Sequence, residues 1–366
     1  MDLIPYTLRM ERKMPSQRRP AENPALKEAA LYEKLPENKV QCNLCAHRCV
    51  IAEGRKGICK VRENHSGVLY TLVYGRTISE HIDPIEKKPL YHFYPGSQAY
   101  SIATPGCNFV CRWCQNWEIS QMPREEHFAS GRDHSPAMIV SAAREAGCRS
   151  IAYTYTEPTI FFEYAYDTSR LAHSDGLSNL FITNGFMTGE MLRTMHPFLD
   201  AANVDLKAFR EETYRRYVGG SLRPILDSMK LMKELGIWLE VTTLVIQDIN
   251  DDTAELRDTA RFVARELGPE TPWHISRFFP SYKMTDRPPT PMDRLQRARE
   301  IGLSEGLHYV YLGNVGDESD TVCHKCGRLL IRRHGYFIAE NHVRDGRCPA
   351  CHTPVAGVGM DGTSTP

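Results

Sequence analysis

The amino-acid sequence predicts an α/β protein whose body is a parallel sheet of barrel type. Three observations predict it. From residue 100 to 312, short apolar runs alternate with capped helical patterns, the signature of βα units whose strands lie parallel. A loop carrying Cys107, Cys111 and Cys114 follows the first of those strands at once, and in parallel barrels the chemistry sits at the C-terminal ends of strands. Two further cysteine groups flank this body, one on each side.

The first strand is expected at 99–104. Ser135 then caps a helix, Pro136 takes its first position and Gly147 stops it, each residue type matching its position. The second strand is 150–156, and a helix covers 157–173. Strands at 179–185, 202–208 and 237–246 alternate with helices at 189–200, 221–236 and 251–268. The sixth strand is 273–279, a helix spans 291–305, and "HYVYLGNV" (308–315) reads as a seventh strand.

The chain has 366 residues, 42% of them hydrophobic and 25% charged, which is ordinary for a globular protein. One barrel can take about 250 residues, so one large domain with appendages is expected: an N-terminal extension at 1–98, the barrel at 99–316 and a C-terminal module at 317–366. The formal net charge is zero, which argues against a nucleic-acid or acidic-membrane partner. No apolar run reaches membrane-spanning length. The first residues have no secretory pattern, so the cytoplasm is the expected compartment. The basic run Arg9, Arg12, Lys13, Arg18 and Arg19 reads as a mobile terminal arm.

Twelve cysteines is a high number for a reducing compartment, where such groups imply metal rather than disulfides. Cys107, Cys111 and Cys114 are three within eight positions. A closed structural zinc site needs four ligands, whereas a four-iron cluster held by three thiolates keeps one iron open. The alternative is buried, inert thiols. Near the C-terminus, "CHKC" and "CPAC" place Cys323, Cys326, Cys348 and Cys351 as two knuckles 21 residues apart, the spacing of a zinc ribbon. Its role is structural, because so small a segment cannot bury enough surface without a staple. Cys42, Cys45, Cys49 and Cys59 follow a less regular C-x2-C-x3-C-x9-C pattern. They could hold zinc or an auxiliary iron–sulfur cluster, with His47 as an alternative ligand, or remain reduced thiols. Cys148, alone beside Gly147, reads as packing.

The C-x3-C-x2-C loop, with the aromatic Trp113 before its third cysteine, resembles the radical S-adenosylmethionine (SAM) superfamily. More narrowly, "CNLCAHRC", "DPIEKKPLYHFYPGS", "GCNFVCRWCQNWEISQ", "YTYTEPTIFFEY", "TNGF", "NVDLKAF", "WHISRFFPSYKM" and "YVYLGNV" resemble the radical enzyme of the AmmeMemoRadiSam system. That family is related to pyruvate formate-lyase activating enzymes, and the resemblance runs over nearly the whole chain. It implies a partial (β/α)6 radical SAM barrel with an N-terminal Cys-rich segment and a C-terminal zinc ribbon. It also implies a [4Fe–4S] cluster at Cys107, Cys111 and Cys114, S-adenosyl-L-methionine on the open iron, and Zn2+ in the ribbon.

The resemblance further implies residue roles. Thr156 and Glu157 would lie along the methionine ammonium, although Glu157 could instead be an acid at a helix N-terminus. Thr183 and Asn184 end the third strand beside the cofactor. Lys207 would meet the methionine carboxylate, the alternative being a solvated lysine. Asp205 would help hold a monovalent cation, yet Ile182 stands where the pattern has Asp. His274 would approach the nucleoside, or else be a core histidine bonded to backbone. The turn after the fifth strand, "VIQDIND", departs from the Pro-Gly usual in relatives. Residues 83–96 are a connector or, through Lys87, Lys88, Tyr91 and His92, a wall of the substrate region.

The implied function is reductive cleavage of SAM to a 5′-deoxyadenosyl radical that abstracts hydrogen from an unidentified substrate. Two alternatives stand: an activase that makes a glycyl radical on a partner enzyme, and a non-catalytic iron–sulfur scaffold or electron carrier. The partners implied are a one-electron donor of flavodoxin or ferredoxin type and the other proteins of the AmmeMemoRadiSam system.

Overall fold

The computed structural model describes residues 26–126, 130–316 and 319–361. The basic run from Arg9 to Arg19 lies outside the described residues.

The body is an eight-stranded sheet of β1 (Ser79–Pro84), β2 (Gln98–Ala103), β3 (Ser150–Tyr153), β4 (Ser178–Thr183), β5 (Ala201–Asp205), β6 (Trp238–Val245), β7 (Trp273–Arg277) and β8 (Val310–Gly313). The strands lie side by side in chain order. From β2 to β8 every neighbouring pair is parallel, and β1 pairs antiparallel with β2, Ser79 opposite Ala103. β1 and β8 are free edges, so the sheet is the expected partial barrel. Six helices follow β2 to β7 in turn: α1 (Pro136–Glu145), α2 (Phe162–Ser174), α3 (Gly189–Met195), α4 (Arg223–Glu234), α5 (Thr253–Phe262) and α6 (Met292–Ser304).

Local chemistry explains these elements. All four residues of β3 are buried, as expected of a strand covered on both faces. The Ser135 hydroxyl accepts from Met138 N at 3.3 Å, and Asp252 caps α5 through Ala254 N at 2.9 Å. Such caps are worth about 1 kcal/mol each. The seventh expected strand forms as β8. β1 was not expected. Its pairing with β2 means that the sheet begins at residue 79, so a boundary between 98 and 99 falls inside the sheet.

The two outer segments are built differently. Residues 27–71 form two small antiparallel sheets. Their Val40, Leu44, Val61 and Leu69 join one apolar cluster with Ile151, Phe181 and Val241 of the body. A buried ion pair, Arg62 to Glu163 at 2.9 Å, ties them to α2. The C-terminal segment has β9 (Thr321–Val322), β10 (Leu329–His334) and β11 (Phe337–Asn341), with a cluster of its own around Cys323, Leu330, Ile331, Val343 and Cys348. Cys148 is buried in the body. Among the described residues, no helix is long and apolar enough to cross a membrane.

Candidate active site

The loop after β2 turns at Gly106, whose φ is +108°. A side chain there would meet Val61 Cγ1 at 2.8 Å, so the close approach of the N-terminal segment demands glycine. The loop then runs along the turn after β5, with Val110 N donating to Val218 O at 2.8 Å and Arg112 N to Tyr217 O at 3.0 Å. This anchoring aims Cys107, Cys111 and Cys114 into a cavity of about 600 Å³.

The same cavity receives Trp113, Thr156, Thr183, Asn184, Asp205, Lys207 and His274. Trp113 comes from the cysteine loop itself, and the others from the ends of β3, β4 and β5 and from β7, far apart in sequence. Asn184 Nδ2 donates to Asn108 Oδ1 at 2.8 Å and reaches Cys107 Sγ at 3.8 Å. Phe109 N donates to Cys107 Sγ at 3.3 Å, and Ser120 Oγ lies 3.3 Å from Cys114 Sγ. Burial raises the pKa of Cys107 well above the ordinary thiol value, and the Glu157 charge adds to this.

Lys207 Nζ donates to Asp205 Oδ2 at 3.0 Å. Burial disfavours its charge, yet Asp205 and the Cys111 sulfur outweigh burial and hold its pKa above the ordinary lysine value. Its backbone is fixed from two sides: Lys207 N donates to Tyr214 Oη at 3.1 Å, and Asn250 Nδ2 donates to Lys207 O at 2.8 Å. Asn250 belongs to the "VIQDIND" turn, which thereby reaches the backbone of Lys207.

Two of the candidate residues have partners that the sequence does not reveal. Glu157 does not line the cavity. It is fully buried beneath it, accepting from Thr159 N, Thr159 Oγ1, Thr183 Oγ1 and Asn184 N at 2.6–3.0 Å. With four donors satisfied it shapes the end of β4, close to the reading of an acid at a helix start. His274 is not bonded to backbone. Its Nε2 is 2.7 Å from Glu240 Oε2, and Glu240 also accepts from Tyr91 N and His92 N at 3.0 and 2.8 Å.

The connector 83–96 is a wall of the cavity, through Glu86, Lys87, Pro89 and Tyr91. Asp83 accepts from Lys87 at 2.8 Å, Lys88 at 2.6 Å and the Tyr155 hydroxyl. Burial pulls Lys88 down to about 8, with Asp83 opposing. Gly335 and Tyr336, at the turn between β10 and β11, also line the cavity. Behind that turn, buried Arg333 donates to Tyr91 O at 3.0 Å and Thr321 Oγ1 at 2.8 Å, and pairs with buried Glu86 at 3.7 Å. His92 accepts from Tyr311 Oη across 2.7 Å and donates from Nδ1 to Ala356 O at 2.6 Å. No local pattern marks Tyr155, Asn250, Glu240 or Arg333 as parts of the site.

The cysteines sort by geometry. Cys323, Cys326, Cys348 and Cys351 bring their sulfurs within 4.8 Å of one another. A tetrahedral ion with metal–sulfur bonds of about 2.3 Å sets its sulfurs about 3.8 Å apart, so this group fits one ion. All twelve cysteines are free of disulfides. The three central thiols face a cavity without closing on a single point, which suits a cluster in which each thiolate takes its own iron.

A family model described as the radical SAM superfamily matches residues 101–263. The chain is 47% identical over 330 residues to an uncharacterized protein of Methanocaldococcus jannaschii, covering 89% of this chain and 98% of that protein. A second protein of that organism, with the provisional name of a glycyl-radical enzyme activating enzyme, is 23% identical over 64% of this chain and 86% of its own length. A domain of a pyruvate-formate lyase-activating enzyme from Bacteroides vulgatus superposes with a TM-score of 0.39 at 17% identity, over 45% of this chain and 99% of that domain. The matched stretch carries the cysteine loop and the strands β2 to β6 that end at the cavity, and the chain belongs to the radical SAM superfamily.

Proposed function

We propose that this protein is the radical enzyme of an AmmeMemoRadiSam system, cleaving SAM reductively in order to abstract hydrogen from a small, dedicated substrate. The observation that carries the reading is the convergence of Cys107, Cys111, Cys114, Asn184, Lys207 and His274 on one cavity. When bound, the [4Fe–4S] cluster and SAM supply a one-electron cleavage that yields a 5′-deoxyadenosyl radical. The three thiolates would hold the cluster. Lys207, kept charged by Asp205, offers an ammonium to the methionine carboxylate. Thr156 is held in place by its bond to Thr104 O at 2.8 Å. Glu157 holds Thr183 and Asn184 in register, so its part is positioning. His274, its ring fixed by Glu240, and Trp113 complete the lining. Leu244 and Leu312 present apolar surface that keeps water away. The ribbon sulfurs would hold Zn2+.

The walls built by Glu86, Lys87, Tyr91 and Tyr336 favour a small substrate over the activase alternative, which needs an open face for a partner's glycine. A charged lysine poised for a carboxylate favours an enzyme over a scaffold. Free thiols throughout suit a reducing cytoplasm, where a one-electron carrier would serve as donor.

The test titrates SAM into the reconstituted protein while following the cluster's spectrum. Lys207→Ala removes one charge-assisted hydrogen bond, worth about 1.5–3 kcal/mol, and weakens binding roughly ten- to a hundred-fold. Wild type with its cluster reduced also releases 5′-deoxyadenosine slowly without substrate. Unchanged affinity in the variant would remove Lys207 from the site, and no deoxyadenosine from wild type would return the scaffold reading.

A further inference from the structure

The rim of the cavity carries more positive charge than the fold neutralises. Four carboxylate and ammonium side chains line the cavity: Glu86, Lys87, Asp205 and Lys207. Glu86 faces Arg333 at 3.7 Å, and Asp205 pairs with Lys207 at 3.0 Å. Lys87 has no counter-ion to itself. Its partner Asp83, at 2.8 Å, also takes Lys88 at 2.6 Å and the Tyr155 hydroxyl. Among the described residues, neither lysine pairs with another carboxylate. The charge of Glu240 does not help, because it is spent on Tyr91 N, His92 N, Trp238 Nε1 and His274 Nε2.

One carboxylate between two ammonium groups is an unfavourable thing to bury. Asp83 and Lys88 keep only 5% and 2% of their side-chain surface exposed, and a buried charge without a full partner destabilises the fold. Burial pulls Lys88 down to about 8, and the neighbouring charge of Lys87 adds to that. At neutral pH Lys88 is still mostly protonated, so one positive charge is left over. Lys87 is the member that a ligand can reach, with a side chain 45% exposed at the cavity.

The same corner holds strained backbone. Tyr155, whose hydroxyl meets Asp83, has a φ of +61°, and Asn116 Nδ2 donates to its carbonyl at 2.9 Å. Strain of this kind collects at ligand sites. Tyr155, Asn116 and Gln115 line the cavity together with Lys87. Both amide side chains are on exposed residues, so they offer neutral donors close to the ammonium.

We propose that Lys87 anchors an anionic group of the substrate, a carboxylate or a phosphate, which completes a quartet of two ammonium groups and two anions with Asp83 and Lys88. That the anion belongs to the substrate rests on the function proposed above; the anion site itself does not.

The test is calorimetric titration of the reconstituted full chain, without SAM, by propionate, methyl phosphate and the neutral isostere propionamide. At least one anion should bind, and the tighter of the two names the group that the site takes. Propionamide should bind about tenfold more weakly than propionate. Lys87→Gln should weaken the anion about tenfold or more, the worth of one charge-assisted hydrogen bond, and Lys87→Arg should restore most of the loss. Binding that is equal for propionate and propionamide, or unchanged in Lys87→Gln, overturns the proposal. Loss in Lys207→Ala with none in Lys87→Gln places the anion where the methionine carboxylate would sit, and overturns it as well. No binding of either anion also overturns it and leaves the SAM titration described above untouched. A protein that binds the anion through Lys87 yet cleaves no SAM defeats the proposed function and leaves the anion site standing.

Discussion

Two four-cysteine segments flank one barrel, and they teach opposite lessons. The N-terminal one is fused to the body: its Val40, Leu44 and Val61 share the barrel's apolar cluster, and Gly106 is glycine because Val61 presses on it. The ribbon keeps a small cluster of its own and closes four sulfurs on one point. It meets the body through buried Arg333 and His92 and through Ala356 and Val358, which pack against Tyr91, Phe93 and their neighbours. The C-terminal segment could close its four sulfurs on an ion of its own, whereas the N-terminal one depends on the core it shares.

The largest effect expected from this contrast is a difference in what unfolds. A structural metal held by thiolates is worth about 10–16 kcal/mol to a small module. Cys348→Ser should therefore expose residues 319–361 to protease while the sheet's own thermal transition persists. Cys45→Ser should lower the main transition instead, because Cys45 is buried in the shared core. A single common transition that drops equally in both variants would erase the distinction.

The fastening comes next. Arg333 and Glu86 are both fully buried, and removing one partner of such a pair costs about 3–5 kcal/mol. Arg333→Met should loosen the C-terminal segment and the connector together, seen as faster amide exchange at Tyr94, whose N donates to Val358 O at 2.8 Å, and at Val358, whose N donates to His92 O at 2.8 Å. Exchange unchanged at both amides would mean that the backbone bonds suffice.

The third effect is a pH dependence. Burial pulls His92 down to about 4 from its ordinary 6.5. The folded protein keeps it neutral where the unfolded chain takes up a proton, so stability falls as pH drops from 6.5 towards 4, by on the order of 3 kcal/mol. His92→Phe should flatten that slope in acid denaturation followed at the ribbon. An equal slope in the variant would assign the acid sensitivity to another group.

Features that depend on local chemistry were legible in the sequence. The seven parallel strands, the Ser135 cap and the three cysteine groups all lie in short patterns. β1 was not, since "SEHIDP" has no apolar alternation and becomes a strand only by pairing with β2. Tyr155 adopts a φ of +61°, in the left-handed region that favours glycine. A tyrosine persists there because Asp83 and Asn116 hold it, and both are distant in sequence. Glu240 hides in an apolar strand, and only its partner His274, 34 positions later, reveals a purpose. The donors to Glu157 are as hidden: Thr183 and Asn184 are 26 and 27 residues away.

The backbone bonds between Val358 and residues 92–94 span more than 260 positions of chain. Contacts so distant form late, because the chain between them must first be ordered. During synthesis the barrel strands emerge well before their last wall is available. The connector therefore waits, with Glu86 lacking Arg333, until residues 319–361 have left the ribosome. The wall that Gly335 and Tyr336 give the cavity is therefore added to strands that emerge long before it.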